Sequence, residues 1–352
     1  MIIVLRKGTT KEQIKDVVRR IEADGLEAKL QKGKIKTVIN VIGNTAEKSI
    51  EPYEALPYVE VVFRVQEKKY RGISRENGEP HNLVIVSGVR IGSDKLTLML
   101  GPCALEGKEQ IVDSVKLITD LRDNHSGENI EGVIIRGGAY KPRTSPDTYQ
   151  GMGADGLKLF SEIAHSRGLP IATEVLDTRD VEFVAQHTDL LWVGARNSQN
   201  YPLLKEVGKA GKPVMLKRAM GGSIEELMGS ANYIIKHGNE HVILCLRGIK
   251  GPQDNVYRNS VDIADIPYLK AKARVPVIFD PSHSTGKRDF VIAVSKQAVV
   301  GGVDGLLVDV HPYPESAIVD AAQQLNPTIA AEFMYLMNHY KGAYRLEQKT
   351  RI

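Results

Sequence analysis

Residues 277–286 read VIFDPSHSTG: three apolar residues, then Asp280, Pro281, Ser282 and His283. A short apolar run fits a buried strand, and its tail places an acid and an imidazole at the carboxyl end. The pattern recurs on both sides. From about residue 95 the chain alternates short apolar runs with amphipathic stretches. The runs cover residues 96–100, 132–135, 170–173, 190–193, 214–216, 242–244, 277–279 and 305–308. Between them, stretches such as 154–167, 223–236 and 316–325 carry helical spacing. Eight such units in roughly 250 residues predict a (β/α)8 barrel. A doubly wound sheet usually has fewer strands and a Gly-rich dinucleotide turn, which is absent. Residues 82–92 predict a hairpin closing the barrel bottom.

In such a barrel, chemistry sits at the carboxyl ends of the strands. The first run leads into Gly101-Pro102-Cys103. The second ends in Arg136, followed by Lys141, Arg143, Thr144 and Ser145. The third ends in Glu174, the fourth in Arg196, the fifth in Lys217 and the sixth in Arg247. The last two end in Asp280 with His283, and in Asp309 with His311. Six cations (Arg136, Lys141, Arg143, Arg196, Lys217, Arg247) on one rim imply an anionic ligand, unless several pair with acids in rim salt bridges. Guanidinium forks suit phosphate and carboxylate, and Lys adds a point charge. The count exceeds the needs of one phosphate and matches two phosphates plus a carboxylate. Cys103, His283, Asp309 and Asp320 supply thiolate, imidazole and carboxylate, all ligands for a divalent transition metal. The bland alternative for Cys103 is a small buried hydrophobe.

Before the barrel, residues 1–67 read β-α-β-β-α-β, a small ferredoxin-like domain. A strand at 2–5 precedes a helix over 11–24, with Ile14, Val17, Val18 and Ile21 on one face. Strands at 26–30 and 37–42 flank a turn at 31–33. A helix at 45–56 and a strand at 59–65 complete the unit. Its open sheet face suits assembly with another copy, or a ligand. Residues 68–80, KKYRGISRENGEP, read as a linker, leaving 81–352 for the catalytic barrel.

Composition narrows the functional classes. Hydrophobic residues at 42% and charged residues at 26% fit an ordinary globular chain. No run approaches the roughly 18 apolar residues of a membrane span, and the N-terminus lacks the apolar core of a secretory signal. Two cysteines exclude a disulfide framework. The expected compartment is the cytoplasm. Residues 1–70 hold 14 Lys+Arg against 10 Asp+Glu and so carry the whole net +4. The barrel is neutral overall, which is no nucleic-acid footprint.

The motifs GPCALEG (101–107), RGGAYKPRTSP (136–146), GARNSQN (194–200), LKRAM (216–220), DPSHSTG (280–286) and HPYPE (311–315) jointly carry a family resemblance. Over essentially its whole length the chain resembles the 3-deoxy-D-arabino-heptulosonate 7-phosphate (DAHP) synthases of the short microbial type with an N-terminal ferredoxin-like domain. The resemblance implies condensation of phosphoenolpyruvate with erythrose 4-phosphate to give DAHP and phosphate. It implies that Arg196, Lys217 and Arg247 hold the phosphoenolpyruvate phosphate. Arg136 and Lys141 would face its carboxylate and reacting centre. Arg143, Thr144 and Ser145 would hold the erythrose phosphate. Cys103, His283, Asp309 and Asp320 would ligate one divalent metal (manganese, iron, cobalt or zinc). Lys141 would give a proton to the new alkoxide, and Glu174 would order the attacking water or else buttress Lys217. The resemblance also implies a homotetramer and feedback inhibition by tyrosine or phenylalanine.

Three positions depart from the family pattern. Asp309 stands where the family usually has Glu, one methylene shorter. Leu246 replaces the Glu usual before the sixth-strand arginine. Lys29 and Gln31 stand where feedback-sensitive relatives tend to carry His and Ser. Two other functions compete. One is a 3-deoxy-octulosonate 8-phosphate synthase using arabinose 5-phosphate, against which KPRTS argues. The other is a non-catalytic phosphoenolpyruvate sensor, against which the retained Cys103, His283 and Lys141 argue.

Overall fold

The computed structural model describes residues 1–33, 36–45, 48–64, 70, 72–75, 79–143, 145–251 and 256–350. They form two compact units, Met1–Arg71 and Gly72–Ile352.

In the first unit, β1 (Ile2–Leu5), α1 (Lys11–Ala23), β2 (Glu27–Lys32), β3 (Thr37–Ile42), α2 (Glu51–Glu54) and β4 (Val59–Phe63) follow in order. The sheet order is β2-β3-β1-β4, with antiparallel pairs throughout. Thr10 caps α1 and Gln13 closes a capping box, which satisfies otherwise orphaned N–H groups. Val17 and Ile21 of α1 pack on Ile3, Leu5, Ile39 and Val62. The other sheet face carries Lys29, Gln31, Val38 and Asn40, and Asn40 donates to the Gln31 amide oxygen at 3.3 Å. The helix expected over 45–56 shrinks to the single turn of α2. Pro52 sits in its first turn. Deeper in a longer helix the ring would remove a hydrogen bond and clash with the preceding turn. Part of the expectation, residues 46–47, lies outside the described residues.

The second unit begins with residues 72–75, within the stretch read as a linker. Ile73 is fully buried, and Arg75 N–H donates to the Lys272 carbonyl at 2.8 Å. The hairpin β5 (Val84–Val86) and β6 (Val89–Ile91) follows. Then come β7 (Leu96–Gly101), α3 (Lys108–His125), β8 (Ile130–Arg136), α4 (Gly153–Ser166), β9 (Ile171–Glu174), α5 (Val181–Gln186), β10 (Leu190–Val193) and α6 (Tyr201–Lys209). The chain continues through β11 (Val214–Lys217), α7 (Ile224–Lys236), β12 (Val242–Leu246), α8 (Asp265–Lys272), β13 (Val277–Phe279), α9 (Pro281–Thr285), α10 (Arg288–Val300), β14 (Gly305–Asp309) and α11 (Pro327–Thr350).

Strands β7 to β14 are parallel and close into an eight-stranded barrel, β14 pairing with β7. This excludes the doubly wound alternative. Inward residues alternate along each strand: Met99, Ile134, Trp192, Met215, Ile243, Cys245, Ile278 and Leu307 fill the interior. Val84, Val86 and Ile91 of the hairpin join that cluster and close the amino-terminal end. The opposite end is therefore the open one.

The stretch 316–325, expected to be helical, is not. It forms two short 3-10 turns, Pro314–Ser316 and Ala321–Gln323, with Asp320 between them in the left-handed region at φ 52°. The buried side chains of Gln323 and Gln324 bond across to other loops and fix this path. Among the described residues, no helix is long and apolar enough to cross a membrane.

Candidate active site

The carboxyl ends of the barrel strands surround a cavity of about 460 Å³. Lys141, Arg143, Glu174, Arg196, Lys217, Arg247, His283 and Asp320 line it. Cys103, Arg136 and Asp309 are fully buried beside it. Thr144 lies outside the described residues. Ser145 does not line the cavity; its hydroxyl accepts the Asp147 N–H at 3.3 Å, inside its own turn.

Cys103 Sγ, a His283 ring nitrogen and an Asp320 carboxylate oxygen lie within 4.8 Å of one another. The Cys103 thiol donates to Asp320 Oδ2 at 3.2 Å, and His283 Nε2 is 3.7 Å from the same oxygen. Lys141 Nζ donates to the Cys103 carbonyl at 2.9 Å and lies 3.2 Å from its sulfur. Burial pushes the Cys103 thiol up to about 12, against the pull of Lys141. Burial would also raise the Asp320 carboxyl, but His283 and Arg258 overcome it and hold it at about 2. A protonated thiol between an imidazole and a carboxylate is a donor set that releases its proton on taking up a cation. Mixed sulfur, nitrogen and oxygen donors fit a divalent transition metal.

Asp309, expected as a fourth ligand, stands outside this cluster. Its Oδ1 is 2.7 Å from Arg136 Nη1, and its Oδ2 accepts from Gln323 Nε2 at 2.6 Å. His283 Nδ1 is 3.6 Å away.

The six expected cations divide into two sets. Arg136 pairs with Asp309, and Lys217 pairs with Asp280 at 2.6 Å. Both lie over the Trp192 ring, at 4.9 and 5.5 Å from its centroid. Burial would lower the Lys217 ammonium, and Asp280 raises it instead. Asp280 also faces His283 Nδ1 at 3.0 Å. It is buried, yet His283 and Lys217 hold it well below the usual carboxylate range. Lys141, Arg143, Arg196 and Arg247 form no ion pair among the described residues. Arg247 Nη1 is buried without a partner. Four uncompensated cations around one cavity call for an anionic ligand.

Glu174 does not buttress Lys217, which is taken by Asp280. Its carboxylate occupies the space beside Gly194, where a Cβ would come within 1.8 Å of Oε1. Leu246 is buried and alternates with the inward Cys245, so it offers Arg247 no acceptor. Both cysteines are free. Sequence reading passed over Arg258, Gln323 and the partner role of Asp280. Only Asp280 carried a signal, as the acid inside the quoted stretch.

Both units match known protein families. Residues 64–345 match the DAHP synthetase I family, and residues 1–67 match the DAHP synthase ferredoxin-like domain. The chain is 39% identical over 344 residues to a phospho-2-dehydro-3-deoxyheptonate aldolase of Thermotoga maritima, covering 97% of this chain and 98% of that protein. A crystal structure of the Thermotoga maritima DAHP synthase superposes with a TM-score of 0.86 at 37% identity, over 98% of each chain. A 2-dehydro-3-deoxyphosphooctonate aldolase of Syntrophotalea carbinolica is 29% identical over 259 residues, covering 70% of this chain and 91% of that protein. The chain belongs to the DAHP synthetase I family, as an aldolase-type transferase with an N-terminal DAHP synthase ferredoxin-like domain.

Proposed function

We propose that the chain condenses phosphoenolpyruvate with erythrose 4-phosphate to give DAHP and inorganic phosphate. The observation that carries this reading is the meeting, in one cavity, of four unpaired cations with the Cys103–His283–Asp320 donor set. Two phosphates and a carboxylate need such a charge; a single phosphate does not.

Arg196, Lys217 and Arg247 hold the phosphoenolpyruvate phosphate, and Arg136 and Lys141 face its carboxylate. Arg143 takes the sugar phosphate. Cys103, His283 and Asp320 hold the metal, and Asp309 acts as the partner of Arg136. When bound, a divalent ion supplies Lewis acidity at the aldehyde oxygen. Carbon 3 of phosphoenolpyruvate forms the new bond to the aldehyde carbon. Lys141 Nζ gives a proton to the alkoxide so formed. Glu174 orders the water that adds at carbon 2, and phosphate departs as its C–O bond breaks. Two anchored phosphates hold the reacting carbons in register, which supplies the proximity contribution.

The N-terminal unit serves assembly, as a homotetramer, and answers tyrosine or phenylalanine. Lys29 and Gln31 lie on its open sheet face. Both substrates are phosphorylated metabolites of the cytoplasm, which is the compartment this reading implies.

The test strips the protein with chelator and returns manganese, iron, cobalt or zinc singly. Phosphate release from phosphoenolpyruvate plus erythrose 4-phosphate is expected with at least one metal and is expected to be absent from the stripped protein. Millimolar tyrosine or phenylalanine is expected to lower the rate. No release with any metal would overturn the reaction. A rate and thermal midpoint indifferent to both amino acids would overturn the effector role alone.

A further inference from the structure

We infer that Arg258 is a positioning residue that sets the metal affinity of the site without touching the metal. The inference rests on the metal reading given under the proposed function.

Arg258 belongs to the segment between β12 and α8, and its backbone is fastened to α9, the element that carries His283. Its N–H donates to the Thr285 carbonyl at 2.9 Å. The next residue, Asn259, donates from its N–H to the Ser284 carbonyl at 2.9 Å and from Nδ2 to the His283 carbonyl at 2.7 Å. Gly286 ends α9 in the left-handed region at φ 69°, and a Cβ there would come within 2.6 Å of Arg258 Cβ. The close approach of the two segments therefore requires that glycine.

The side chain reaches the other way, to the loop after β14. Arg258 Nη1 donates to Asp320 Oδ1 at 3.1 Å and to Gln323 Oε1 at 3.0 Å. Asp320 thus has its two oxygens divided. Oδ1 is held by Arg258, and Oδ2 faces Cys103 Sγ and His283 Nε2. Asp320 adopts a backbone conformation that L-residues seldom visit, so an outside partner that holds its carboxylate matters more than on a regular element. The Gln323 contact has a further effect. With Oε1 accepting from Arg258, Nε2 is the end turned to Asp309 Oδ2, at 2.6 Å. Through its backbone and its guanidinium together, this one residue ties the His283 element to the Asp320 loop, and the guanidinium orients the amide that holds Asp309.

Outer partners of metal ligands typically set affinity by about 10–100-fold. The test measures cobalt binding to the full chain by chelator competition, with the near-ultraviolet thiolate-to-cobalt band as the spectroscopic signature. Arg258→Met is expected to weaken binding about 10–100-fold and to shift the band, with the metal-free thermal midpoint unchanged. Arg258→Lys keeps the charge but not the fork, and is expected to fall between. Parental affinity in Arg258→Met would overturn the inference. If that variant fails to fold, parental affinity in Arg258→Lys would overturn it equally. Absence of the band in the unaltered protein, or its persistence in Cys103→Ser, would overturn the metal reading itself and this inference with it.

Discussion

Replacing Lys141 with methionine is expected to lower kcat by about 10²–10⁴, the usual worth of a positioned proton donor. Lys141 is 8% exposed, and its ammonium touches the Cys103 carbonyl and sulfur while facing the cavity. Of the other lysines lining the cavity, Lys217 is committed to Asp280. Arginine will not restore the rate, because a guanidinium holds its proton throughout the working range. Methionine keeps the length and removes the charge, so the fold is expected to survive. Cobalt affinity measured on the same variant separates loss of the proton donor from loss of the metal. A kcat within a few-fold of the parent, at full metal occupancy, would remove Lys141 from the proton path.

Asp309→Asn is expected to destabilise the protein by about 3–5 kcal/mol, the typical effect of breaking a buried ion pair from one side. Arg136 and Asp309 are 1% and 0% exposed as side chains. The variant leaves a guanidinium charge in the barrel interior with no carboxylate against it. Burial alone would lower the Arg136 pKa, and Asp309 is the main group that raises it. The thermal midpoint should fall by about 10 °C. Trp192, the sole tryptophan, lies under Arg136, so its fluorescence should change in the folded state as well. Saturating phosphoenolpyruvate is expected to recover part of the loss, since its carboxylate would face Arg136. An unchanged midpoint and fluorescence would mean that Asp309 and Arg136 are not coupled as described.

The fold was legible because the barrel repeats one signal eight times. Each strand of β7–β14 is a short apolar run, and each run ends in a residue with polar chemistry. Local signals failed where a residue is set by distant partners. Pro52 limited α2, a rule visible in the sequence. The 316–325 stretch has helical spacing, yet Asp320, Gln323 and Gln324 are held by Cys103, Arg258 and Asp309. Cys103 and Arg258 lie far away in sequence, so no window contains them. The same reason hid Arg258, which looks like an ordinary surface cation in a polar loop. The cations of the rim were visible, but not their division. That Arg136 and Lys217 are neutralised while Lys141, Arg143, Arg196 and Arg247 are not depends on where Asp309 and Asp280 point.

The departures from the family pattern take on physical sense together. Asp309 pairs with Arg136 while its other oxygen lies 3.6 Å from His283 Nδ1. Beside Leu246, the Arg247 guanidinium has a buried nitrogen without a partner.

The most direct test is the product balance of the metal-loaded protein, followed by mass spectrometry. Phosphoenolpyruvate is supplied with erythrose 4-phosphate in one sample and arabinose 5-phosphate in another. The expected result is a seven-carbon 3-deoxy-2-keto acid phosphate, equimolar with released phosphate, from erythrose 4-phosphate alone. Phosphate released without that product, or an eight-carbon acid formed from arabinose 5-phosphate in preference to it, would contradict the proposed reaction.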